Sequence, residues 1–114
     1  MPTPIISQDP MYQLLRNDDV QGFNKARDSG KTCDLRGCDL RGLDLRNINL
    51  KGIDLTDAYF RGADLRGIDF RGCRMDGVSL ANAKISGCYF PPSIPAEEIL
   101  LSVSHGTRLR DQAQ

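Results

Sequence analysis

From Leu35 to Phe90 a large apolar residue returns at every fifth position: Leu35, Leu40, Leu45, Leu50, Leu55, Phe60, Leu65, Phe70, Met75, Leu80, Ile85 and Phe90. Two positions earlier in each unit stands a second apolar residue, small or medium in size: Cys33, Cys38, Leu43, Ile48, Ile53, Ala58, Ala63, Ile68, Cys73, Val78, Ala83 and Cys88. Twelve consecutive units keep both rules without an insertion. The residue between the two is mostly polar, most often Asp. The residue after the large one is often Arg or Lys, and a turn former, usually Gly, follows it. A helix would need apolar spacings of three and four, and a flat strand would need unbroken alternation. A short extended piece followed by a sharp bend satisfies the pattern. Residues two apart then point the same way, into the interior, and the polar residue between them points out. Gly, Asn or Asp allows the bend.

Units such as Ala63-Asp64-Leu65-Arg66-Gly67 resemble the A-D/N-L-x-x motif of the pentapeptide-repeat family, over residues 32–91, about half of the chain. The resemblance implies an all-β solenoid with helical caps, a right-handed quadrilateral β-helix with four units per coil. Twelve units then make about three coils, ~4.8 Å apart as hydrogen-bonded strands are. Residues 20 apart lie above one another, so Leu50, Phe70 and Phe90 form one core column, with ring stacking expected between Phe70 and Phe90. On the outside Arg41 lies under Arg61 and Arg46 under Arg66, while Asp34 lies under Asp54 and Asp44 under Asp64. These alternating columns form a solvated lattice of charge. Arg41, Arg61, Arg46 and Arg66 are also the candidate contact for acidic groups on a partner.

A β-helix leaves open edges at its ends, and the flanks look suited to covering them. Asp9-Pro10 starts a helix, with Met11, Leu14 and Leu15 on one face. Asn17-Asp18-Asp19 breaks it, Val20, Phe23 and Ala26 continue the apolar stripe, and Ser29-Gly30 ends it. Pro91 and Pro92 stop the repeat. A C-terminal helix is expected over Ser93 to Ser104, with Pro95 and the acidic Glu97 and Glu98 near its start and Gly106 past its end. Its stripe of Ile99, Leu100 and Val103 covers the last coil or, as the family resemblance implies, pairs two copies into a homodimer. The polar tail, Thr107 to Gln114, is expected to be mobile. The organisation is thus 1–31 as N-terminal helical cap, 32–91 as repeat and 92–114 as C-terminal helix and tail.

Lys plus Arg and Asp plus Glu both total 15, and the repeat itself holds nine basic and eight acidic residues. This balance argues against a nucleic-acid binder, which is usually basic. No apolar run reaches the ~18–20 residues that span a bilayer, and no secretory leader is visible, so a cytoplasmic protein is expected. Cys33, Cys38, Cys73 and Cys88 all take the small inward position and read as reduced, buried side chains. No catalytic pairing, phosphate-binding loop or metal-ligand spacing stands out, and the single His105 has no evident Ser, Cys or Asp partner. The reading is a non-catalytic interaction or scaffold module with an unidentified protein partner, no cofactor and no metal. The family supplies one alternative, a DNA mimic that binds DNA gyrase. The Arg columns supply another, direct nucleic-acid binding. Mimicry needs a strong negative field, which this charge balance does not give.

Overall fold

The five-residue period becomes a chain of corners. The computed structural model describes residues 3–113; Met1 and Pro2 of the expected N-terminal cap and Gln114 of the expected tail lie outside them. At each corner the turn residue has positive φ, from Gly37 at 67° to Gly87 at 73°, and Asn47, Asp57 and Asn82 take the same conformation. The amide of the next unit's first residue donates back across the bend, as from Ala58 to Leu55 O at 2.9 Å and from Ile68 to Leu65 O at 3.1 Å. Positive φ at the third residue of a four-residue turn is the type II requirement, which Gly and Asn meet at least cost.

Between corners the polar residue of one unit pairs with its counterpart 20 residues on. Parallel bridges join Asp39 to Tyr59 to Ser79, Asp44 to Asp64 to Lys84, Asp54 to Arg74, and Asp69 to Tyr89. Four pentapeptides therefore make one turn, and three turns stack. The bridges are isolated: no extended strand forms among the described residues, because each side is straight for only two or three residues before it bends. The expectation of an all-β architecture is met only at this coarser level, as a coil held by single bridges.

Both inward positions are buried through the middle of the stack, and the last units, at Ile85, Cys88 and Phe90, are half-buried. Phe70 and Phe90 stack at 5.4 Å between centroids, and Phe60 meets Phe70 edge-on at 6.2 Å. The four cysteines are free. Cys73 Sγ donates to Leu50 O at 3.1 Å and Cys88 Sγ to Leu65 O at 2.9 Å, so these thiols tie one coil to the one beneath.

Helices close the ends. Helix α1 (Pro10–Arg16) starts at Asp9, whose carboxylate accepts from Met11 N, and α2 (Val20–Asp28) starts at Asp19, which accepts from Gly22 N. Tyr12 and Phe23 are fully buried against the first coil. The Tyr12 hydroxyl donates to Asp39 O at 2.7 Å. Ile5, in the segment before α1, adds a parallel bridge to Cys38. Helix α3 (Ala96–His105) is shorter at its start than expected, because Pro92 and Ser93 form a turn closed by Ile94 N on Pro91 O. Gly106 ends it at φ 74°.

The tail corrects the expectation of a mobile segment. Arg108 forms an antiparallel bridge to Ser79, and Leu109 is 1% exposed. Leu109 N donates to Val78 O, Gly77 N donates to Leu109 O, and Arg110 pairs with Glu98 at 2.6 Å. One buried leucine, backbone bonds to an open edge and the Arg108 and Arg110 side-chain contacts together hold this polar segment on the coil.

Candidate interaction surface

The outward charges are arranged in forks within single units. Where Asp precedes Arg by two positions, its Oδ1 accepts from the Arg backbone N–H and Nε, and its Oδ2 from a terminal guanidinium nitrogen. Asp34–Arg36, Asp39–Arg41, Asp44–Arg46, Asp64–Arg66 and Asp69–Arg71 all close this way, with ion-pair distances of 2.7–2.8 Å. The extended piece turns Asp and Arg to the same side, and a fork with two parallel bonds is the strong form of this contact. The Arg66 hydrogen bonds hold the Asp64 carboxyl down at about 2, and those of Arg71 hold Asp69 at about 2. Asp34, Asp39 and Asp44 are lowered by the same bonds.

This pairing divides the candidate arginines. Arg46 and Arg66 lie together as expected, but both are engaged: Arg46 binds Asp44 and also reaches Asp64 at 3.4 Å. Arg41 is closed on Asp39. Arg61 differs, because the residue two before it is Tyr59, and no acidic group among the described residues pairs with it. Arg61 and Arg41 line one surface depression of about 520 Å³ together with Arg16 from the end of α1 and Asp39. Three guanidiniums against one carboxylate make this corner cationic. Arg16 was not foreseen: in the sequence it belongs to a helix, and only the seating of α1 brings it to the repeat.

The apolar candidates on α3 also divide. Ile99 and Val103 are half-buried and pack on the core, and Val103 O accepts from Asn82 N. Leu100 is 64% exposed and Leu101 40%, so these two face away from the coil. The buried polar residue Ser102 does part of the capping, since its Oγ accepts from Leu80 N at 2.8 Å. Its role has no signal in an apolar pattern.

Ser104 Oγ lies 2.7 Å from His105 Nδ1, so the histidine does have a serine neighbour. That hydroxyl donates to Leu100 O, which leaves the imidazole nitrogen as the donor in the pair, the reverse of a general base acting on a nucleophile. Among the described residues no group of His, Cys, Asp and Glu is placed to hold a metal ion, and no helix is long and apolar enough to cross a membrane. Burial pushes the Cys33 thiol up to about 12 and the Cys38 thiol up to about 11, the opposite of an activated nucleophile.

A family model described as pentapeptide repeats matches residues 33–72 and 53–90, in eight copies. No curated protein and no solved structure matches the chain at a significant level.

Proposed function

The chain belongs to the pentapeptide-repeat family, and from that premise we propose that it is a non-catalytic interaction module that docks a protein partner through the Arg16–Arg41–Arg61 corner. We also read its coil as the family's right-handed quadrilateral β-helix, on the strength of the 20-residue bridge period. The observation that carries the functional reading is the uneven pairing of charge. Most outward arginines are closed on a carboxylate of their own unit, whereas Arg61 is open and adds to Arg16 and Arg41 on one side. A guanidinium without an internal partner is free to take a carboxylate from outside. DNA mimicry asks for a sustained negative field, and carboxylates closed on arginines supply little of one. Nucleic-acid binding asks for a basic surface, and the forks cancel most of the positive charge.

Arg16→Glu/Arg61→Glu reverses the corner and leaves the Asp39–Arg41 fork in place. Affinity capture from a nuclease-treated lysate is expected to retain a partner on the wild-type chain and lose it on this variant. Retention by both would remove the corner from the interface. Any pairing of two copies we assign to Leu100 and Leu101, since Ile99 and Val103 are spent on capping. Sedimentation should then show a dimer that Leu100→Ser/Leu101→Ser abolishes, and a wild-type monomer would dismiss it.

A further inference from the structure

The lower edge of the first coil repeats one pair of backbone groups beside the small inward residues Cys38, Leu43 and Ile48. The pair is the carbonyl of the preceding corner and the amide of the following polar residue. Around Cys38 these are Gly37 O and Asp39 N, and the backbone of Ile5 takes both, at 2.9 and 2.8 Å. Around Ile48 they are Asn47 O and Asn49 N, and the Asn24 carboxamide takes both, at 2.8 and 2.7 Å. A side-chain amide there reproduces what a strand residue does next door. Around Leu43 the pair is Gly42 O and Asp44 N, and among the described residues no group bonds to either. One coil higher, Asp64 N donates down to Leu43 O at 2.9 Å, so the equivalent Asp44 N–H points to the open end of the stack.

This vacant pair borders a cleft of about 840 Å³ between the coil edge and the α1–α2 link, lined also by Asp18, Asp19, Asn24 and Arg46. Asp44 and Arg46 neutralise each other, which leaves Asp18 and Asp19 as the net charge of the cleft. A short extended piece with an unpaired backbone edge can take another extended chain, whose main chain supplies the bonds and whose side chains read the surroundings. We propose that this edge is a docking site for an extended segment of a partner protein. One residue of the segment pairs with Gly42 O and Asp44 N as Ile5 pairs next door, and a neighbouring lysine or arginine side chain lies against Asp18 and Asp19. The site adjoins the Arg16–Arg41–Arg61 corner, with which it shares Gly42, but uses different charged groups and does not rest on that reading.

The test is amide-resolved NMR on the full chain, titrated with the acetylated, amidated pentapeptide Thr-Val-Lys-Val-Thr and with its Glu counterpart. In the free chain the Asp44 amide should exchange with solvent faster than those of Asp39 and Asn49. The lysine peptide should shift Gly42 and Asp44, slow the exchange of Asp44, and bind about threefold or more tighter than the glutamate peptide, the scale of one exposed ion pair. Asp18→Asn, which suits the left-handed backbone there (φ 59°), should narrow that preference. Asp44→Pro should fold, because that amide has no internal partner, and should lose the peptide. Misfolding of that variant would leave the test to Asp18→Asn. The proposal is overturned if Asp44 is as protected as its neighbours in the free chain, if no peptide shifts this edge, or if the two peptides bind alike. Concentration-dependent shifts at Asp44 without peptide would assign the edge to a second copy instead.

Discussion

Whether an arginine on this surface is available to a partner depends on the residue two places before it. Asp at that place closes a fork; Tyr59 at that place leaves Arg61 open. The D-x-R spacing was visible in the sequence. Its consequence was not, because a column picture compares units 20 apart and the fork forms inside one unit. The forks also set the acid response. The folded pKa of Asp64 and of Asp69 lies below the ordinary carboxylate value of 3.8, at about 2. A carboxylate lowered on folding adds stability above its unfolded pKa, and that stability is lost as pH falls through the folded pKa. Thermal midpoints should therefore be flat from about pH 7 to 5 and fall between about pH 4 and 2. Asp64→Asn/Asp69→Asn should flatten that fall, and an unchanged acid limb would show that the forks contribute nothing. The inward and outward phase has its own test. Leu65 is fully buried, so Leu65→Asp should cost roughly 3–5 kcal/mol. Arg66→Ala removes a half-exposed guanidinium and leaves Asp64 with Arg46 at 3.4 Å, so the denaturant midpoint should barely move. Equal denaturant midpoints would contradict the assignment.

At the level of elements, the corners and helices were legible because each carries its own local chemistry. Asp9-Pro10 starts α1, Gly106 ends α3, and a turn former stands at every corner. The corners still differ in what they tolerate. Gly62 and Gly77 share positive φ, but a Cβ at Gly62 meets open space, while one at Gly77 would lie 1.9 Å from Asp57 Oδ1. Gly62→Ala should cost about 1 kcal/mol of backbone strain. Gly77→Ala should cost more, since Asp57 must also swing away from Arg108, 3.5 Å distant. Urea unfolding of the pair checks the order, and the reverse order would refute the packing at that corner. The capping groups that escaped the pattern are polar or solitary: Asn24 imitating a peptide, Ser102 on Leu80 N, and Leu109 alone in a charged tail. A periodicity search has nothing to count in them.

Across the whole molecule the recurring problem is the open edge, and one side solves it from end to end. Ile5 lies below Cys38, the bridges climb from Asp39 through Tyr59 to Ser79, and Arg108 closes the top. The neighbouring side, with Asp44, Asp64 and Lys84, has no such lower closure, and this difference cannot be seen without knowing where the N-terminal segment runs. Four-unit stacking was expected from the family resemblance, whereas the meeting of Arg16 with Arg41 and Arg61 depends on the seating of α1. The cationic corner depends on that stacking, because only a 20-residue turn sets Arg61 directly above Arg41. Nuclear Overhauser contacts between amides and α-protons test it most directly. Stacking every 20 residues should put the Tyr59 amide against Cys38, Asp64 against Leu43, and Lys84 against Ala63. Contacts offset instead by one unit, to residues 16 or 26 apart, would place Arg41 and Arg61 on different sides and contradict this stacking.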